Sequence, residues 1–210
     1  MKIFLTIILL VLSNINLYSQ EGVGKFKINK STVDVIKDVE SEIGKTYDIT
    51  NVLEFYNNHY INGDLKFQEI IMDTTTNCKN SRIFYISEYT ISNIKLKEIY
   101  LVFFKDLLVE FRCDKSKELD ILFSRKYGRP YVFQKLSPDM VSNTLKYDEH
   151  MTKFVWRESN ITTISFEKKQ VFDGIVRDAG SYFIIYDVTY RKIIEDCDIF
   201  NDNFENKIIY

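Results

Sequence analysis

Alanine is almost missing from this chain: Ala179 is the only one. The best helix former is thus unavailable as filler. Ile, Val, Tyr and Phe, which fit a pleated surface, are plentiful instead. Histidine is nearly as scarce, with His59 and His150 alone. That leaves little material for an imidazole metal site or a Cys–His nucleophile pair. The seven glycines are scattered, and Gly22-Val23-Gly24 precedes no helix in the frame that a phosphate loop needs. No Gly-x-Ser-x-Gly elbow and no paired-His motif occurs, so no cofactor or metal is expected. Charges of both signs are interspersed around a formal net charge of −2, which argues against nucleic acid as a partner.

Long apolar runs are also lacking, apart from one at the start. Lys2 is a positive beginning, Ile3 to Leu12 is an apolar core, and Ser13 to Gln20 is polar. A spanning helix needs about 20 apolar residues, so this pattern reads as a signal peptide, 1–19, cut after Ser19 with Leu17 three positions back. The residue directly after the cut is Gln20 and not cysteine, so a lipoprotein anchor is not expected. The mature chain, at a net charge of about −3, is expected to lack an integral membrane segment. Its compartment is then extracellular or, in a Gram-negative bacterium, periplasmic; its Ile, Asn and Lys bias fits a low-GC bacterium. Export permits a disulfide among Cys78, Cys113 and Cys197; three pairings and a fully reduced set all remain open.

The stretch Ile99 to Pro130 organises the rest. An apolar run turns at Lys105-Asp106 and runs back, which sets Phe104 opposite Leu107, Val102 opposite Val109 and Tyr100 opposite Phe111. That face is wholly apolar. The other carries Ile99, Leu101, Phe103 and Leu108, then Glu110 and Arg112. Asp114 or Ser116 can cap a following helix whose Leu119, Leu122, Phe123 and Tyr127 share one side. Gly128 suits its end and Pro130 forbids continuation. The helix is expected to lie across the all-apolar face of the hairpin.

Elsewhere, Val23 to Asn29 reads as a short strand, and Ser31 begins a helix with a Val33, Ile36, Val39, Ile43 stripe that ends at Gly44. Tyr47 to Gly63 has an aromatic-rich middle of ambiguous type. Leu65–Asp73, Arg82–Ile91 and Tyr131–Leu136 read as strands, with a polar loop at Thr74–Ser81. Ser137–Glu149 reads as irregular and Gln170–Gly180 as a loop. Thr152–Glu158 and Ile161–Glu167 form a hairpin about Ser159-Asn160, with Trp156 in the core. Tyr182–Ile194 reads as one long strand, and 196–210 as a loosely held tail. The segments from Lys30 and from Lys115 echo one another, each a capped helix ending in glycine, so halves 23–113 and 114–195 of the single domain 20–210 form a possible pseudo-repeat.

Candidate sites are few. Asp148-Glu149-His150 holds metal-ligand types, but neighbours on a strand point opposite ways. Asn29-Lys30-Ser31 and Asn160-Ile161-Thr162 match the glycosylation pattern and are equally explained as turns. The best candidate surface is the stripe Tyr182, Tyr186, Tyr190, together with Glu110 and Arg112. Tyrosine offers contact area and a hydroxyl at low entropy cost, although the same stripe would serve as core.

These elements together point to an α+β fold, a twisted antiparallel sheet with two principal helices on one face. The segments Ser31–Gly44 and Ser116–Gly128, each followed by strands, resemble the BamE-like and beta-lactamase-inhibitor-like exported modules. The resemblance implies protein binding in the envelope and carries over no site residue. The function expected is a non-enzymatic binding or adaptor protein that contacts another protein or an envelope component. An inhibitor or immunity-type protein, and a hydrolase with sequence-distant Asp and Glu carboxylates, are the alternatives. Expressed with its own N-terminus in a bacterial host, the exported chain should have the mass of residues 20–210; an intact Met1–Gln20 contradicts the leader.

Overall fold

The computed structural model describes residues 22–43, 67–70, 80–142 and 145–195. The leader, Gly44, the Tyr47–Gly63 stretch, His59, Cys78, most of the Thr74–Ser81 loop, Cys197 and the tail from 196 lie outside the described residues. In chain order the elements are β1 (Gly22–Val23), β2 (Phe26–Lys27), α1 (Val35–Ile43), β3 (Phe67–Ile70), β4 (Ser81–Ile91), β5 (Ile94–Phe104) and β6 (Leu107–Asp114). There follow α2 (Lys117–Tyr127), β7 (Tyr131–Ser142), β8 (Leu145–Glu158), β9 (Ile161–Phe172), β10 (Ile175–Asp187) and α3 (Val188–Glu195).

β3 to β10 form one eight-stranded antiparallel sheet in the order β3-β4-β5-β6-β10-β9-β8-β7, and β1 with β2 makes a separate two-stranded piece. Two up-and-down meanders thus meet where β6 pairs with β10. Tight turns build them. Ser92-Asn93, Lys105-Asp106 and Asp173-Gly174 have positive φ at both residues, between 47° and 81°, as two-residue hairpins of the right twist require.

This arrangement overturns the α+β expectation. The protein is mostly β, and its helices are small, at nine, eleven and eight residues. Two segments expected to lack regular structure are strand, and one expected strand ends early in a helix. Gln170–Gly180 is not a loop, because Asp173-Gly174 is a hairpin turn between the long strands β9 and β10. Ser137–Glu149 is not irregular either; β7 and β8 continue through it, with a bulge that absorbs Pro138 on an edge strand. Tyr182–Ile194 is a strand only as far as Asp187. There the Asp187 carboxylate accepts from the N–H groups of Thr189 (2.7 Å) and Tyr190 (3.3 Å) and starts α3 as a cap. Similarly α1 begins at Val35 rather than Ser31, whose hydroxyl accepts from Lys27 N (2.9 Å) and donates to Lys25 O (2.6 Å) in a turn.

The central hairpin turns where the sequence places it, with Phe104 opposite Leu107. Its register then departs from the expected one. Val102 faces Glu110 and Tyr100 faces Arg112, because Val109 is inserted as a bulge. One extra residue exchanges the faces beyond it. Phe111 and Cys113 join Leu101, Phe103 and Leu108 on the inner face, while Glu110 and Arg112 turn to the reverse face beside Tyr100 and Val102. Without the bulge two ionic side chains would enter the apolar cluster, at a cost of several kcal/mol per ion.

That cluster gathers Phe26, Ile36, Val39, Phe84, Ile99, Leu119, Trp156, Phe183 and Ile185. α2 is capped by Ser116, as expected, with the hydroxyl accepting from Leu119 N at 3.4 Å. Its Leu119 and Phe123 are fully buried. Phe123 sits edge-on to Phe183 (5.0 Å) and Trp156 (5.9 Å), and Trp156 Nε1 donates to Gly128 O at 3.1 Å. Replacing Phe123 by Ala should therefore cost about 3–5 kcal/mol in urea unfolding. Ile121→Ala, on the exposed side of the same helix, should stay within about 0.5 kcal/mol; equal losses would misplace α2.

Candidate interaction surface

The register brings four of the five expected site residues to one place. Glu110 lies opposite Tyr186 and Arg112 opposite Ile184 across the β6–β10 seam, and Tyr182 follows on the same face. They form an interior layer rather than an open groove. Glu110 is fully buried and Tyr182 is only 6% exposed. Arg191 of α3 closes on Glu110 at 2.7 Å and lies over the Tyr186 ring at 5.0 Å. Arg112 covers the Tyr182 ring at 4.5 Å, and Tyr182 stacks on Phe166 at 5.0 Å. The fifth residue, Tyr190, has left the strand for α3 and packs on Phe104 at 5.6 Å. Charge here is spent on internal pairing, and removing one partner of such a buried pair typically costs 3–5 kcal/mol.

The remaining candidates are placed as follows. Asp148, Glu149 and His150 alternate along β8; Glu149 is buried against Lys168 at 2.7 Å, Asp148 accepts from Asp139 N at 3.1 Å, and His150 is exposed. Among the described residues no group of three metal-ligand types converges. Cys113 is a buried free thiol. Burial, and then the charges of Asp114 and Asp120, push its ionisation far above the ordinary range, so it is inert as a nucleophile. In the first glycosylation pattern, the Asn29 amide donates to Asp187 at 2.5 Å.

A shallow pocket of about 420 Å³ opens beside the start of α2, lined by Asp114, Lys115, Lys117, Glu167, Asp178 and Ser181. Lys115 stands 3.6 Å from Glu167 and 3.8 Å from Asp120. Partial desolvation raises the Asp114 carboxyl, although the residue as a whole is exposed, and Glu98 adds to the rise. Burial also raises Asp120, partly offset by the Ser165 hydroxyl and Lys115. The two acids do not form a hydrolytic pair. Asp114 shares a face with Tyr182, whereas Asp120 meets Ser165 on the opposite, helix-covered face.

The open surface lies further out, at the far end of the second meander. β10 pairs with β6 only over Tyr182–Tyr186; its first half has β9 alone as a described neighbour. On the face that continues from the seam, rows of opposed residues run outward. One row is Tyr182, Phe166, Lys153, Phe133; another is Ile184, Ile164, Val155, Tyr131. The seam ends are 2% and 6% exposed, Val155 is still buried, and only on the edge strand does exposure reach 56% at Phe133 and 68% at Tyr131. Near the tip Tyr147 and Phe172 pack at 5.1 Å, and Leu145 and Ile175 are each more than half exposed. The four residues Tyr131, Phe133, Leu145 and Ile175 were not among those singled out from sequence. Asp173-Gly174, flanked by Val171, Phe172, Ile175 and Val176, is the hairpin signal that leads to one of them, Ile175.

Compared with protein-family models, with curated proteins and with solved structures, the chain matches none.

The raised Asp120 gives a signed pH test. Its ionised form is disfavoured in the native state, so stability is lost as pH rises from the ordinary carboxylate range through the folded value. Asp120→Asn should therefore melt above the parent at about pH 7, with the gap narrowing towards about pH 3. A gap independent of pH contradicts this placement of Asp120.

Proposed function

We propose that the protein is an exported, non-enzymatic binding module of the bacterial envelope, and that it grips another protein with the outer end of its second meander. The supporting observation is the coplanar set Tyr131, Phe133, Leu145 and Ile175. These are large apolar side chains, each more than half exposed, on one face of a regular sheet. They stand in two groups on that face, Tyr131 with Phe133 at the start of β7 and Leu145 with Ile175 at the hairpin tips, parted along β8 by Met151, Glu149 and Tyr147; exposed apolar side chains gathered on one face mark a contact site. The chemistry also fits: aromatic side chains dominate binding hot spots, and a sheet holds them rigidly at little entropic cost. Lys135 and Arg177 border the patch with positive charge, and Arg177 lies over the Phe172 ring at 5.5 Å. The leader-like start, Lys2 followed by Ile3–Leu12, supports the compartment.

A photo-crosslinking residue placed at Ile175 in the exported protein, in its native cells, should give a discrete adduct with a second, different protein. Phe133→Glu in the same background should abolish that adduct while leaving the thermal melt within about 2–4 °C. Adducts with lipid alone, or none at all, overturn this function.

A further inference from the structure

We infer that two copies of this chain join through the outer edge of β7, by antiparallel pairing of residues 131–137 about a two-fold axis at Gln134. The inference stands on that edge alone and does not require the binding partner proposed above. No described strand pairs with β7 on its outer side. The strand is twelve residues long, and Tyr131, Val132, Phe133, Gln134, Lys135 and Leu136 are all exposed. Its main-chain groups and side chains on both faces are thus open. Long apolar edges of this type pair with another strand unless they are blunted by charge, proline or a bulge.

The prolines and the bulge frame the segment instead of interrupting it, and the single charge inside it is Lys135. Pro130 precedes it, and Pro138, within the bulge between Ser137 and Met140, follows it. Along an edge strand the N–H and C=O groups of alternate residues point outward. A two-fold axis must therefore pass through a residue; midway between residues it would set outward groups against inward ones. An axis at Lys135 stacks two ammonium groups. An axis at Phe133 or Leu136 draws Pro130 or Pro138, which lack an N–H, into the ladder. The axis at Gln134 avoids both faults. It places Pro130 opposite Pro138 of the second copy, at the two ends of the paired stretch.

The same axis matches the side chains. Val132 meets Leu136 of the other copy on one face. Phe133 meets Lys135 on the other face, in reach of a cation–π contact. The two Gln134 amides meet at the axis and can bond to each other. Just past the prolines, exposed Arg129 faces exposed Asp139. Every one of these contacts except the central amide pair occurs twice, and no like charges oppose each other. Such an isologous contact closes on itself, so the product is a dimer rather than a fibre.

Sedimentation of the purified mature protein should report two chains per particle. Gln134→Lys should weaken association by at least about tenfold, since it sets two charges on the axis. The register is read by cysteine. At Gln134 the paired Cα atoms should lie about 4.5–5.5 Å apart, within disulfide range. Oxidised Gln134→Cys should run as a reducible dimer, while Phe133→Cys, which faces Lys135, and the parent should not. Charge reversal supplies a second test: Arg129→Asp should weaken the dimer, and adding Asp139→Arg should restore it. A monomer at all concentrations overturns the inference. So does equal cross-linking at Phe133 and Gln134. Failure here leaves the heterologous adduct at Ile175 unaffected, and its loss leaves the dimer unaffected.

Discussion

A single short seam, Tyr182–Tyr186 of β10 against Glu110–Asp114 of β6, makes one sheet out of two meanders. Its inward side chains, Phe111, Cys113, Phe183 and Ile185, enter the apolar cluster that receives α1, α2 and the β1–β2 piece. Its outward ones, Glu110, Arg112, Tyr182, Ile184 and Tyr186, form the ionic and aromatic layer on the reverse. The chain path follows from it. α2 carries the backbone from β6 past the inner face to the far edge, where β7 begins, and three hairpins bring it back so that β10 can complete the seam. Asp187, at the end of the seam, both caps α3 and holds the Asn29 amide. α3 then returns Arg191 to Glu110. Burial on one side and paired charge on the other fix the same residues in register.

Much of the local structure was legible in the chain. Ser116 as a cap, the hairpin turns at Lys105-Asp106 and Ser159-Asn160, and Trp156 as core all follow from residue type and spacing. The bulge at Val109 did not, because unbroken alternation was also chemically reasonable; only the position of the helices makes Glu110 intolerable on the inner face. The outer parts of β7 to β10 were missed for a different reason. Strands that project beyond the covered sheet face no apolar core, so Lys168, Lys169, Arg177 and Asp178 break the two-residue alternation on which strand reading rests. α3 was hidden because Tyr182, Tyr186 and Tyr190 suit a strand by period, while the switch to helix depends on the single carboxylate of Asp187.

Buried and exposed side chains share the reverse face, and the strand period that gathers them does not separate the two. Tyrosine on a strand is core where neighbouring strands and a helix surround it, and contact surface where they do not. Tyr182 and Tyr131 differ mainly in their distance from the seam. The same rows that pack Tyr182 against Phe166 and Arg112 carry Phe133 and Tyr131 into solvent. A rigid, buried middle therefore holds an apolar outer end in a fixed orientation, as a binding surface requires.

Amide hydrogen exchange of the folded protein measures that division directly. The account predicts the slowest exchange at Phe111–Cys113 and Phe183–Ile185, opening only with global unfolding, and exchange faster by orders of magnitude at Lys146–Asp148 and Ile175–Arg177. Equal protection of the two sets, or a seam that exchanges first, contradicts it.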